Sequence, residues 1–128
     1  MTREMSDEGL QAILALPPSR RHAWFLQRVR EAGEVWGLYM EGWALALDDD
    51  GRDVLPLWPT EHAARLCATR LWEGFEPRRI PLEELMERLL PELEDEGMPL
   101  GIFFTPDGHG GSLTPAELRA QLAGGASA

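Results

Sequence analysis

The sequence predicts an α+β fold: a small, mostly antiparallel sheet of about four or five strands with helices packed around it. Three observations carry this expectation. Residues 34–59, EVWGLYMEGWALALDDDGRDVLPLWP, are apolar runs broken at Glu41-Gly42 and between Asp48 and Asp53, the pattern of three consecutive strands joined by tight turns. Leu82, Leu85, Met86, Leu89 and Leu93 repeat at helical spacing. Residues 98–104 are apolar on both alternating faces, as a strand covered on both sides must be.

The elements follow in chain order. Ser6 caps a first helix over Asp7 to Leu16, with Asp7 and Glu8 at the positive end of its dipole, and Pro17-Pro18 ends it. Ser19 opens a second helix that runs to Ala32, with Gly33 as its stop. Phe25, Leu26, Val29 and Ala32 form its apolar stripe, and Trp24 lies off it. The first strand covers Val35 to Met40 and the second Trp43 to Leu47. Asp48 to Asp53 is a turn cluster, and the third strand covers Val54 to Trp58. Pro56 has no N–H, which places that strand at an edge or at a bulge.

Thr60 caps a third helix whose Ala64, Cys67, Ala68 and Leu71 face the core; Gly74 ends it. A short extended piece, Glu76 to Ile80, leads to Pro81 and a fourth helix. Pro91 interrupts that helix and restarts it near Leu90, and Gly97 closes it. A central strand covers Met98 to Phe104, and a flexible glycine-rich loop covers Thr105 to Ser112. Thr114-Pro115-Ala116-Glu117 is a capping box that opens a last helix, ending near Leu122. The 128 residues read as one domain, 1–128, with its core in 6–122 and a disordered tail at 123–128.

Composition narrows function by exclusion. With 22 acidic and 12 basic residues the formal charge is −10, which repels phosphate backbones and argues against nucleic acid. The same field steers toward a basic protein partner. All the basic residues are arginine, so no lysine is present for a Schiff base or a phosphate loop. No apolar run reaches the roughly 20 residues that cross a bilayer, and the polar N-terminus has no signal-peptide pattern. The expectation is a cytoplasmic protein without membrane contact. One cysteine and three histidines give no disulfide and no zinc spacing, and no cofactor motif is present.

Residues 20–68, RRHAWFLQRVREAGEVWGLYMEGWALALDDDGRDVLPLWPTEHAARLCA, and residues 72–106, WEGFEPRRIPLEELMERLLPELEDEGMPLGIFFTP, carry a resemblance. Its most specific parts are Val35-Trp36-Gly37-Leu38, Gly42-Trp43-Ala44, Leu57-Trp58-Pro59 and the Leu90-Pro91 break. In order and spacing the chain, over residues 20–118, resembles the bacterial family known as domain of unknown function 2750. The resemblance implies a small α+β domain. It implies no chemistry and no catalytic residues, because the family has none assigned.

The chemistry-bearing residues form no complete catalytic set. Asp48, Asp49, Asp50 and Asp53 lack the spacing and late glutamate of a calcium loop and read as a solvated turn. Gly108-His109-Gly110-Gly111-Ser112 lacks both a phosphate-loop lysine and a nucleophile elbow, and reads as a surface loop. Cys67 and His62 are five apart, an offset that faces neither toward the other on a helix, and Cys67 falls on the apolar stripe as a buried thiol. His22 reads as a helix-surface or packing histidine.

The expected function is therefore a non-enzymatic protein-binding or regulatory module. A concrete version is an immunity protein that neutralises a basic toxin. The candidate interface is Trp24 with Glu83, Glu84, Glu87, Glu94 and Asp95, joined by Glu92 and Glu96 on the acidic face of the fourth helix. The alternative is a small-ligand-binding protein or an enzyme of unrecognised type, using His22, His62 or His109 with Arg78 or Arg79. A third option is a homo-oligomer paired through a strand edge near Pro56. The remaining aromatics Trp36, Tyr39, Trp43, Trp58 and Trp72 read mostly as core.

Overall fold

The computed structural model describes residues 7–48, 50–68, 72–105, 108 and 110–124. Ser6, Leu71 and His109 therefore lie outside the described residues, as does the tail at 125–128. The first helix, α1, spans Asp7–Leu14. It stops short of Leu16, whose N–H turns back to the Ile13 carbonyl ahead of the proline pair. The second, α2, spans Pro18–Ala32 with Pro17 at the N-cap and no side chain capping it, so Ser19 is not the cap. Pro18 suits that first helical position because its missing N–H would be unpaired there in any case. Gly33 ends the helix at φ 70°, as expected. The face turned inward is Arg21, Phe25 and Val29, while Ala32 is exposed.

The sheet departs from the expected one. The class is α+β, but the strands form two sheets, and one of them is mixed. β1 (Glu34–Tyr39) pairs antiparallel with β4 (Glu76–Pro81) in a two-stranded sheet. The extended piece at 76–80 is thus the partner of the first strand. The other sheet has the order β2 (Ala46–Leu47), β3 (Asp53–Leu57), β5 (Leu100–Ile102), β6 (Gly111–Leu113). In it β3 and β5 run parallel, and the other two pairs run antiparallel. The central position of β5 agrees with its two apolar faces. β6 occupies the end of what the sequence presents as a loop. The glycines hide it, because β5 supplies the pairing that the local sequence does not.

One residue pair stitches the two sheets together. Trp36 and Trp58 exchange both backbone hydrogen bonds, at 2.8 and 2.7 Å. Pro56 is explained by the same geometry. Leu55 N–H and Leu57 carbonyl bond to the β5 side, so residues 54, 56 and 58 face the other way. Val54 pairs there with Ala46 and Trp58 with Trp36, and Pro56 falls in the gap between the two partners. The strand is not at an edge; only its proline is unpaired. The expected second strand is correspondingly short. Trp43 bridges Tyr39 of β1 across the expected turn at Glu41-Gly42, residues 44–45 lie outside β2, and the Trp72 indole donates to the Leu45 carbonyl at 3.1 Å.

The third helix, α3 (Glu61–Cys67), begins as expected, with Thr60 Oγ1 accepting from the Ala63 N–H at 3.1 Å. It ends at Cys67, well before Gly74. The last helix, α6 (Pro115–Gly124), carries the reciprocal capping box. The Thr114 N–H donates to Glu117 and the Glu117 N–H to Thr114 Oγ1. It continues two residues past Leu122, into what the sequence presents as tail. The core between helices and sheets is built on Trp58, Phe25, Phe103 and Phe104, all fully buried.

Candidate functional site

Pro91 shapes the acidic helix. The segment runs as α4 (Leu82–Glu84), a π-helical turn (Leu85–Leu89) and α5 (Leu90–Glu96), with Gly97 closing it at φ 70°. A proline has no N–H, and its ring presses on the carbonyl four residues earlier. The wider turn accommodates this: the Leu90 N–H reaches back five residues to the Leu85 carbonyl. The restart at Leu90 is as expected, and of the expected stripe Leu85 and Leu93 are buried while Leu82, Met86 and Leu89 are half-buried against the core; Leu90 is the addition. The extra residue in the turn brings Leu90 inward with Leu85 and Leu93, and leaves Leu89 half-buried.

Every carboxylate of this segment is turned to solvent. Glu83, Glu84, Glu87, Glu92, Glu94, Asp95 and Glu96 are all exposed. Arg88 is the segment's single basic residue. Among the described residues the ion pairs lie elsewhere: Arg52 with Asp48 and Asp50, Arg65 with Glu61, and Arg79 with Glu34. Arg88 aside, the acidic segment is a row of like charge, and none of its carboxylates is in an ion pair among the described residues. Trp24 is placed differently. It is half-buried on α2, 5.9 Å from the Phe103 ring centroid, so its off-stripe position is explained by packing. Both α2 and α5 pack on α6.

Three residues of the catalytic alternative, His22, Arg78 and Arg79, are each engaged by a different neighbour. His22 Nε2 lies 2.6 Å from Gln121 Oε1 on α6. Arg79 holds Glu34, which also accepts from the Trp36 indole. Arg78 lies flat over Tyr39 at 3.6 Å. His62 sits half-buried on α3. Cys67 is buried beneath that helix, donating to the Phe104 carbonyl, which also accepts from the Trp58 indole. Burial pushes the thiol up to about 12, outweighing a favourable contact from Trp58. A thiol held there is protonated at neutral pH and is no nucleophile. The acidic turn is equally committed. Asp48 accepts from the backbone N–H of Asp50 and Arg52 and from Arg52 Nε, each at 2.9 Å. Those contacts, the Arg52 backbone N–H first, hold its carboxyl below the usual range despite desolvation.

Sequence reasoning missed two features. Arg21 is 6% exposed and donates from Nη1 to the Leu16 carbonyl, closing the turn between α1 and α2, while its Nε has no partner among the described residues. Burial alone lowers its ordinary value. The second is an apolar surface at residues 40–47, visible only once β1 is known to pair with β4.

A family model described as "Protein of unknown function (DUF2750)" matches residues 22–122. The chain belongs to this family. The DUF2750 match takes in both sheets, the acidic helix and all but the last two residues of α6; α1 and the first four residues of α2 precede it. No curated protein and no solved structure matches the chain. Among the described residues no helix is long and apolar enough to cross a membrane.

Proposed function

We propose that this DUF2750 protein is a non-enzymatic binding or regulatory module of the cytoplasm, whose acidic helix meets a basic protein. The observation that carries this is the exposed row Glu83, Glu84, Glu87, Glu92, Glu94, Asp95 and Glu96, unpaired among the described residues. Such a row raises the local concentration of a basic partner and speeds encounter, more than it adds to affinity at equilibrium. An immunity protein that blocks a basic toxin is the specific form that fits this charge and size. Trp24, half-buried against Phe103, is a rigid ring at the margin of α2 rather than a free anchor.

The buried Cys67 and the engagement of His22 and Arg79 weigh against the enzyme alternative. The test is an affinity capture from the native lysate, read by mass spectrometry at low and at moderate salt. One basic protein, retained at low salt and weakened by moderate salt, supports the reading. An empty capture at both salts overturns it.

A further inference from the structure

The large hydrophobic residues exposed among the described residues all fall within eight positions: Met40 at 49%, Leu45 at 44% and Leu47 at 61%. A surface apolar residue standing alone needs no explanation, but a contiguous group marks an interaction site. These three are held together by the fold. Met40 leaves the end of β1, and its Sδ lies against Gly74 in the turn at 72–74. The same turn carries Trp72, whose indole fixes the Leu45 carbonyl. Leu47 is on β2, the end strand of its sheet. The register turns the Leu47 N–H and carbonyl away from β3, because the Asp48 N–H bonds to the Arg52 carbonyl one residue on.

The rim of this surface is acidic. Asp53 stands opposite Leu47 across β2 and β3, and Glu76 opposite Tyr39 across β1 and β4. Glu41 follows Met40 in the chain, and Glu73 lies in the turn against which Met40 rests. All four are exposed, and none is in an ion pair among the described residues. Of the neighbouring cations, Arg52 is tied to Asp48 and Arg78 lies flat on Tyr39. An apolar centre with a carboxylate rim is the anatomy of a protein-binding patch. The charge excludes an acidic occupant and disfavours a second copy of this −10 chain.

We propose that residues 40–47 dock an extended segment of the partner that alternates apolar and basic side chains. Its apolar residues cover Met40, Leu45 and Leu47, its basic residues meet Glu41, Asp53, Glu73 and Glu76, and its backbone pairs with Leu47 at the open edge of β2. The inference rests on the basic-partner reading and adds where the partner is gripped. The patch lies at the Tyr39–Glu76 end of the β1–β4 pair, and the acidic helix starts at the other end, after Pro81. Six strand residues separate them, a span of ~20 Å that one interface of standard size covers.

The test titrates the isotope-labelled protein with three capped octapeptides: alternating arginine–leucine, arginine–serine and glutamate–leucine. The expected result is that arginine–leucine alone shifts the amides of 40–47, including Leu47. Its affinity should fall about tenfold in Leu47→Ser and again in Leu45→Ser, the loss of one buried leucine contact each. Both positions are solvent-exposed, and Met40→Ser gives an independent third readout. Arginine–leucine shifts confined to 83–96, indifferent to Leu47→Ser, overturn this inference and leave the basic-partner reading standing. Equal binding of the arginine–serine peptide removes the apolar contact and overturns it too. A dimer in light scattering that Leu47→Ser dissociates assigns the patch to a second copy and overturns it. Shifts nowhere, with either arginine peptide, count against both readings.

Discussion

Phe104 is fully buried, and its ring occupies the space that a Cβ at residue 101 or 110 would need. A Cβ at Gly101 would stand 2.7 Å from the Phe104 ring, and one at Gly110 would collide with the same ring. Neither glycine is needed for a positive φ; both are needed for space. Gly101→Ala and Gly110→Ala should each cost ~1–3 kcal/mol, the usual penalty for overpacking a core, read as a lower urea midpoint at unchanged slope. Gly111→Ala, with open space at its Cβ, is the control and should leave the midpoint nearly unchanged. Cys67 gives a second prediction at this scale. Its thiol should resist iodoacetamide at pH 8 in the native protein and react on unfolding. Its raised value also fixes a pH dependence. The neutral thiol favours the fold fully below the unfolded value of about 8.5, and this stabilisation is lost as pH climbs from there toward about 12. Replacing Cys67 by alanine should flatten the fall in stability over that range. Local signals of this kind were readable in advance. Thr60 and the Thr114–Glu117 box act within three residues, so their sequence contains the whole interaction. The steric demand on Gly110 was not, because Phe104 reaches it through the tertiary fold.

Elements were legible where their boundaries are set by proline or glycine, and illegible where a distant strand sets them. Gly33, Gly97 and Pro91 each act where the sequence places them. The pairing of β1 with β4 was hidden, since Glu76 to Ile80 has only Ile80 as an obvious strand former. The outer edge of β4 shows why that composition is tolerated. Leu82 bonds to Gly33, which turns Pro77, Arg79 and Pro81 outward, and two of those three have no N–H to offer. Prolines on an open edge block further pairing. The acidic helix yields the decisive element-scale prediction. A regular helix would bury Leu89; the π turn buries Leu90 instead. Leu90→Ala should cost ~2–5 kcal/mol and Leu89→Ala under ~1 kcal/mol in chemical denaturation. The reverse order would mean a continuous α-helix through Pro91, and a different set of carboxylates facing outward.

At the scale of the whole molecule, two sheets joined at Trp36–Trp58 hold an acidic helix at one end of the β1–β4 pair and an apolar surface at the other. The α+β class and the excess of acid over base were plain in the sequence. The apolar surface was not, because Leu45 and Leu47 read as strand residues of a core until β2 is seen to be a two-residue strand at the end of its sheet. On the reading proposed above, the exposed carboxylates of residues 83–95 draw in a basic partner. The most direct measurement is the association rate of the captured partner with the wild type and with a variant carrying Glu83→Gln, Glu84→Gln, Glu87→Gln, Glu94→Gln and Asp95→Asn, at two ionic strengths. These side chains are exposed, so the fold should tolerate all five changes. The wild-type rate should be at least ~10-fold faster at low salt, with most of the difference gone at high salt. Equal rates for the two proteins at low salt would contradict it.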